Sequence, residues 1–141
     1  GRINKAEADL LLSELKIYIN RIGGSRILEE KIDFGIISPY KAQVQYLRSK
    51  IKADASLKPY RSLFTVNTVD GFQGQERDVI FISLVRANEE GQIGFLNDLR
   101  RMNVAITRAR MKLVILGEAE TLKHHGFYRK LLEFIQNIGN Q

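Results

Sequence analysis

Thr65–Gly117 reads TVNTVDGFQGQERDVIFISLVRANEEGQIGFLNDLRRMNVAITRARMKLVILG, and this stretch decides the fold. Two apolar runs, Val79–Val85 and Leu113–Leu116, bracket a polar segment rich in Arg and Gly. Short runs dominated by Val and Ile read as buried strands of a parallel sheet. The residues that look chosen for chemistry lie before and between them: Gln73, Gly74, Glu76, Arg101, Asn103, Arg108 and Arg110.

Upstream of this stretch the pattern alternates. Asn4 and Glu7 form an N-x-x-E helix start. Leu10, Leu11, Leu15, Ile19 and Ile22 follow on one helical face, and Gly23-Gly24 ends the helix. Glu7 reads as a cap rather than a ligand. Ile32–Ser38 reads as the first strand. Ser38 then reads as N-cap and Pro39 as the first residue of a helix through Tyr40, Val44, Leu47 and Ile51. Lys41, Arg48 and Lys52 form its basic, solvated face. Tyr40 and Gln43 fall in its first turn, at the carboxyl edge of a strand, where open α/β sheets bind ligands. Pro59 and its neighbours read as a loop.

Leu63–Val69 is the second expected strand, leading into Asp70-Gly71-Phe72-Gln73-Gly74, whose two glycines permit tight turns. The third is Asp78–Val85. Asn97 caps an expected helix to about Ala109, with Leu99, Met102 and Ile106 as its stripe. On it Arg101 and Arg108, two turns apart, project from similar faces. Lys112–Gly117 is the fourth strand, and two short helices split at Gly126 complete the chain, with Phe127, Leu131 and Phe134 among the core candidates. The alternation predicts one three-layer α/β domain over residues 1–141, with a mostly parallel sheet.

Composition narrows the function. The 141 residues suit one domain. There is no cysteine, so disulfides and cysteine metal sites are excluded. His124 and His125 are adjacent and make a poor metal pair. No metal site is expected. The net charge of +6 suits a polyanion partner without requiring one. No apolar run reaches the length of about 20 residues that a membrane span needs. The chain opens on Gly1 almost directly into a helix pattern, as expected of a piece of a longer protein. Cytoplasmic residence is the default expectation, or nuclear if the source is eukaryotic.

The sequence has no G-x-x-x-x-G-K-[ST] phosphate loop, no Ser-His-Asp set and no marked acidic pair. It offers instead Arg100, Arg101, Arg108 and Arg110 beside a Gly-bounded loop with Glu76. Arg presents a rigid fork of donors that matches phosphate oxygens. A surface salt-bridge lattice, or compensation of a helix C-terminus, accounts for the same arginines.

Longer motifs go further. I-I-S-P-Y-K-A-Q at Ile36–Gln43, T-V-D-G-F-Q-G-Q-E-R-D-V-I at Thr68–Ile80 and R-R-M-N-V-A-I-T-R-A-R at Arg100–Arg110 resemble motifs IV, V and VI of superfamily 1 helicases. N-x-x-E-A at Asn4–Ala8, V-R-A-N at Val85–Asn88 and G-F-L-N-D at Gly94–Asp98 fit the same pattern. The chain is similar, over essentially its whole length, to their second RecA-like domain. The most similar branch holds the nonsense-mediated-decay RNA helicase and the immunoglobulin mu-binding helicase. Leu99 and Met102 depart from the frequent Pro and Leu.

The resemblance implies ATP hydrolysis in a cleft against a first RecA-like domain of the same parent chain. That first domain would carry the phosphate loop and hold Mg²⁺. It further implies that Arg108 is the arginine finger, that Glu76 contacts the ribose, and that Gln73 and Gly74 shape its loop. Arg101 and Arg110 position Arg108, bind phosphate, or pair with acids. Ser38, Tyr40, Gln43 and Thr68 would face single-stranded DNA or RNA, with Tyr40 equally readable as packing. The expected activity is an ATP-dependent helicase moving 5′ to 3′, with the isolated domain inactive. The alternative is a non-catalytic nucleic-acid-binding module derived from a helicase.

Overall fold

A computed structural model describes residues 3–85, 102 and 107–117. Most of the helix expected from Asn97, including Arg101, and the tail helices lie outside the described residues.

The order is α1 (Lys5–Ile22), α2 (Gly24–Glu30), β1 (Phe34–Ser38), α3 (Lys41–Ala53), a 3-10 helix (Ala55–Leu63), β2 (Phe64–Thr68), α4 (Val69–Phe72), β3 (Arg77–Ser83) and β4 (Ala109–Leu116). The four strands form one parallel sheet in the order β2-β1-β3-β4. Side chains alternate across it. Phe34, Ile36, Val79 and Phe81 pack with Leu11, Leu15 and Ile19 of α1, Ile27 of α2 and Leu47 and Ile51 of α3. Ile37, Ile80 and Ile82 turn the other way, onto Val69 and Phe72 of α4 and Met102. Two cores on opposite faces make three layers, as the alternation predicts. The rings of Phe34 and Phe64 meet edge to face with centroids 5.3 Å apart.

Gly35 of β1 faces the second core. A Cβ there would lie 2.9 Å from the Phe72 ring, so the bare backbone is what lets that ring seat.

Several boundaries differ from the sequence reading. Asn4 caps α1 through its side chain, accepting the Glu7 N–H at 2.9 Å. Leu12 is buried in place of Leu10, which is 49% exposed. The glycine pair ends α1, but α2 begins at once. Gly23 adopts φ 98, ψ 128, a conformation open to glycine, and redirects the chain. Helix α3 starts at Lys41 with Tyr40 as N-cap, so Ser38 ends β1 and does not cap α3. The Pro59 segment is 3-10 helical, not a loop: Asp54 caps it and Leu57 anchors it in the core. Among the described residues β2 is an outer strand, and Arg48 of α3 places two N–H donors, at 3.0 and 2.6 Å, on the carbonyl of its Val66. One charge of the expected solvated face therefore braces the sheet.

The fourth strand begins three residues early, at Ala109. Ala109 pairs with Arg77, and the Arg77 N–H donates to the Arg108 carbonyl at 3.1 Å. Thr107 and Arg108 are therefore a turn, and the expected helix does not reach Ala109. Arg108, in that turn, and Arg110, on β4, reach the same acid, Glu76, without helical spacing.

Candidate functional site

The structure sorts the expected site residues onto the two ends of the sheet. A five-residue parallel strand separates them by roughly 15 Å.

At the carboxyl ends, Ser38 and Thr68 are register partners on β1 and β2. Thr68 is half-buried, and its Oγ1 accepts the Gly71 N–H at 3.2 Å, capping α4. Ser38 is fully buried, and its Oγ accepts the half-buried Tyr40's N–H at 3.3 Å. Gln43 is also fully buried. Its amide nitrogen donates to the Asn4 carbonyl at 3.1 Å and to Ser83 Oγ at 3.0 Å, while its Oε1 accepts the Asn4 N–H at 3.0 Å. The Ser83 hydroxyl in turn donates to Glu7 Oε1 at 2.6 Å, and the same oxygen accepts the Val85 N–H at 2.9 Å. Val85 has φ 66, a left-handed conformation rare for a β-branched residue. Glu7 is thus a buried acceptor that holds a strained strand exit, while the Asn4 side chain caps the helix.

At the amino ends, Asp33 and Asp78 face each other across β1 and β3. The Asp78 N–H donates to Asp33 Oδ1 at 2.7 Å, and the Asp33 N–H donates to Asp78 Oδ2 at 3.1 Å. Arg110 spreads its fork over three acids: Nε to Asp78 at 3.0 Å, Nη1 to Glu76 at 3.3 Å and Nη2 to Asp33 at 3.4 Å. Burial pushes the Asp78 carboxyl up. The Asp33 N–H and the Arg110 guanidinium outweigh it and hold the group below the usual carboxylate range. The bond to Asp78 raises the Arg110 guanidinium above its ordinary value.

Arg108 makes one long bond here, Nη1 to Glu76 Oε1 at 3.4 Å, and its side chain is 41% exposed. Of the two arginines it is the one with donors to spare for an incoming anion. Glu76 is exposed between them. Its loop is a type II turn. Gln73 sits at φ −51, ψ 134, Gly74 at φ 82, and the Gln75 N–H closes onto the Phe72 carbonyl at 3.1 Å. The third turn position demands positive φ, and Gly74 supplies it. Gln73 and Gly74 are both exposed.

The structure thus brings Gln73, Gly74, Glu76, Arg108 and Arg110 to one end, and Ser38, Tyr40, Gln43 and Thr68 to the other. Sequence reasoning missed the Asp33–Asp78 pair, the Glu7–Ser83 bond and Arg77. An acid at the start of each of two strands was the available signal for the first. The other two depend on partners that only the fold supplies. Among the described residues no group of acids and histidines is arranged to hold a metal ion, and no helix is long and apolar enough to cross a membrane.

The profile described as AAA domain matches residues 1–120. The probable helicase MAGATAMA 3 of Arabidopsis thaliana is 41% identical over 133 residues, covering 94% of this chain and 16% of its own length. The helicase sen1 of Schizosaccharomyces pombe is 46% identical over 99 residues, 70% of this chain and 6% of its own. Regulator of nonsense transcripts 1 of Dictyostelium discoideum is 44% identical over 105 residues, 73% of this chain and 8% of its own. The chain therefore spans a sixth or less of each of these relatives. With its parallel three-layer sheet and the three long motifs in order, it belongs to the AAA domain family, as a RecA-like domain of the superfamily 1 helicase branch.

Proposed function

We propose that this domain is the second motor half of an ATP-dependent helicase, which supplies the arginine finger and part of the grip on a single strand of DNA or RNA. The observation that carries the reading is the unequal use of the two arginines. Three carboxylates fix Arg110, whereas Arg108 meets Glu76 at 3.4 Å and stays 41% exposed. A finger must be held at its base and free at its tip. Hydrolysis of a bound triphosphate supplies the driving reaction. Arg108 would stabilise the charge developing on the transferred phosphoryl group, an effect of about 10³–10⁵ in rate in other NTPases. Glu76 would turn to the ribose hydroxyls and release Arg108 as it does so. Mg²⁺ and the phosphate loop belong to the first RecA-like domain, so the isolated piece has no turnover of its own.

The strand lies across the opposite end of the sheet. Tyr40 and Thr68 stand nearest the surface there, with the buried Ser38 holding the Tyr40 N–H from behind and the buried Gln43 tying α3 to Asn4 and Ser83. Backbone and hydroxyl contacts hold phosphates without reading bases. Arg108 gains its phosphate partner only when the cleft closes, so nucleotide shifts the population of closed states and hydrolysis reverses the shift.

The test is strand-stimulated ATP turnover by the full-length protein, wild type against Arg108→Ala, at matched strand occupancy. Collapse of turnover with strand binding retained supports the finger. Unchanged turnover removes Arg108 from that role. A wild-type protein that binds strand with no turnover at all makes this a binding module descended from a helicase.

A further inference from the structure

The last two residues of β2 use their polar groups unequally. Thr68 is engaged by the fold: its Oγ1 accepts the Gly71 N–H at 3.2 Å, and its own N–H donates to Asn67 Oδ1 at 2.8 Å. That second bond settles which arm of the Asn67 carboxamide is oxygen, because a backbone N–H needs an acceptor. The amide nitrogen remains. Among the described residues Asn67 Nδ2 has no acceptor, and no buried side-chain nitrogen there lacks one, so Nδ2 faces solvent.

Asn67 is also firmly seated. It pairs in register with Ile37 and so lies on the face of the sheet that α4 covers. There its amide rests on the bare backbone of Gly71. A Cβ at Gly71 would stand 2.4 Å from Oδ1 and 2.6 Å from Nδ2, so a side chain at that position would push the carboxamide away. The amide is thus held by Thr68 on one side and by Gly71 on another, with its donors unused. A group fixed in this way binds a partner with little further loss of rotamer freedom.

We infer that the Asn67 carboxamide is a further contact to the strand, donating from Nδ2 to an oxygen of the sugar–phosphate backbone beside Thr68. This rests on the function proposed above, which lays the strand across this end of the sheet. An amide donor suits a phosphate oxygen or a ribose hydroxyl, and neither contact reads a base.

The test is the affinity of the full-length protein for uridine and thymidine homopolymers. Asn67→Asp keeps the oxygen that the Thr68 N–H needs and replaces the donor with a second oxygen. Gly71→Ala displaces the amide without changing charge. Gln45→Glu makes the same charge change on an exposed residue of α3 and measures the added field alone. Asn67→Asp is expected to weaken strand binding about tenfold or more, the size of a lost hydrogen bond to a charged group. Gly71→Ala should weaken it less, and it carries the test by itself if Asn67→Asp does not fold. Loss with both homopolymers assigns the acceptor to phosphate, and loss with the uridine strand alone assigns it to the ribose hydroxyl. If Asn67 serves only the fold, Asn67→Asp binds as the wild type does, because the Thr68 bond is kept. A loss in Asn67→Asp no larger than that in Gln45→Glu overturns the inference. A wild-type protein that binds no strand removes the proposed function and this contact with it, whereas wild-type binding that is insensitive to Asn67 removes the contact alone.

Discussion

Glu7 and Ser83, 76 positions apart in sequence, share a buried hydrogen bond of 2.6 Å. The carboxylate oxygen that receives it also takes the Val85 N–H. This junction ties the first turn of α1 to the exit of β3, and Gln43 extends it to the first turn of α3.

Removing the carboxylate leaves the Val85 N–H and the Ser83 hydroxyl without their acceptor in the interior. Glu7→Ala is expected to destabilise the domain by about 3 kcal/mol, and Glu7→Gln, which keeps an acceptor, by about 1 kcal/mol. Urea unfolding midpoints of the two variants check the order. Equal losses would mean that packing, not the hydrogen bonds, sets the effect.

Gly74 has φ 82 and open space where a Cβ would stand, so replacing it tests backbone strain alone. Gly74→Ala is expected to cost about 1–2 kcal/mol, and Gly74→Asn less, because Asn tolerates left-handed backbone. An Ala variant as stable as wild type would show that the turn relaxes to another type.

The Gly35–Phe72 contact predicts overpacking. Gly35→Ala puts a methyl group 2.9 Å from the ring and is expected to cost about 1–3 kcal/mol. Phe72→Leu in the same chain relieves the clash, so the double variant should be less destabilised than the sum of the single changes. Strict additivity in a double-mutant cycle would refute the contact.

Asp78 carries a pH signature. Its carboxyl titrates lower in the folded chain than in the unfolded one. The unfolded chain therefore binds protons first as pH falls, and the stability that Asp78 contributes is complete above about pH 4 and is lost below it. Asp54, held low by Lys16, has the same sign, so the comparison must be with Asp78→Asn. Unfolding midpoints from pH 6 to pH 2 should fall less steeply in that variant. Parallel curves would exclude Asp78 as a source of the acid dependence.

The central strand β3 was legible because Val79–Val85 is a continuous apolar run, and a strand buried on both faces needs such a run. The Arg108–Arg110 geometry was not. Helical spacing pairs Arg101 with Arg108, yet the ladder to Arg77 draws residues 109 onward into a strand, and pairing overrides the local pattern. Helix α2 was hidden behind a glycine pair that turns the chain as well as ending a helix. Gln43 and Glu7 sit in first turns, where polar residues usually meet water. Their burial is decided by Ser83 and Val85, more than 40 residues distant for Val85 from either. The motifs singled out Glu76, Arg108 and Arg110, while the unequal contacts of the two arginines needed distances.

The Arg48 bond to Val66 has a consequence for the chain in a crowded cell. An outer strand with bare carbonyls is a template on which a foreign strand can pair, the first step towards aggregation. Arg48 covers one of those carbonyls with two donors and leaves a charge where an intruding backbone would have to lie. Its loss would be felt less as unfolding than as a fall in the soluble yield of an otherwise native domain.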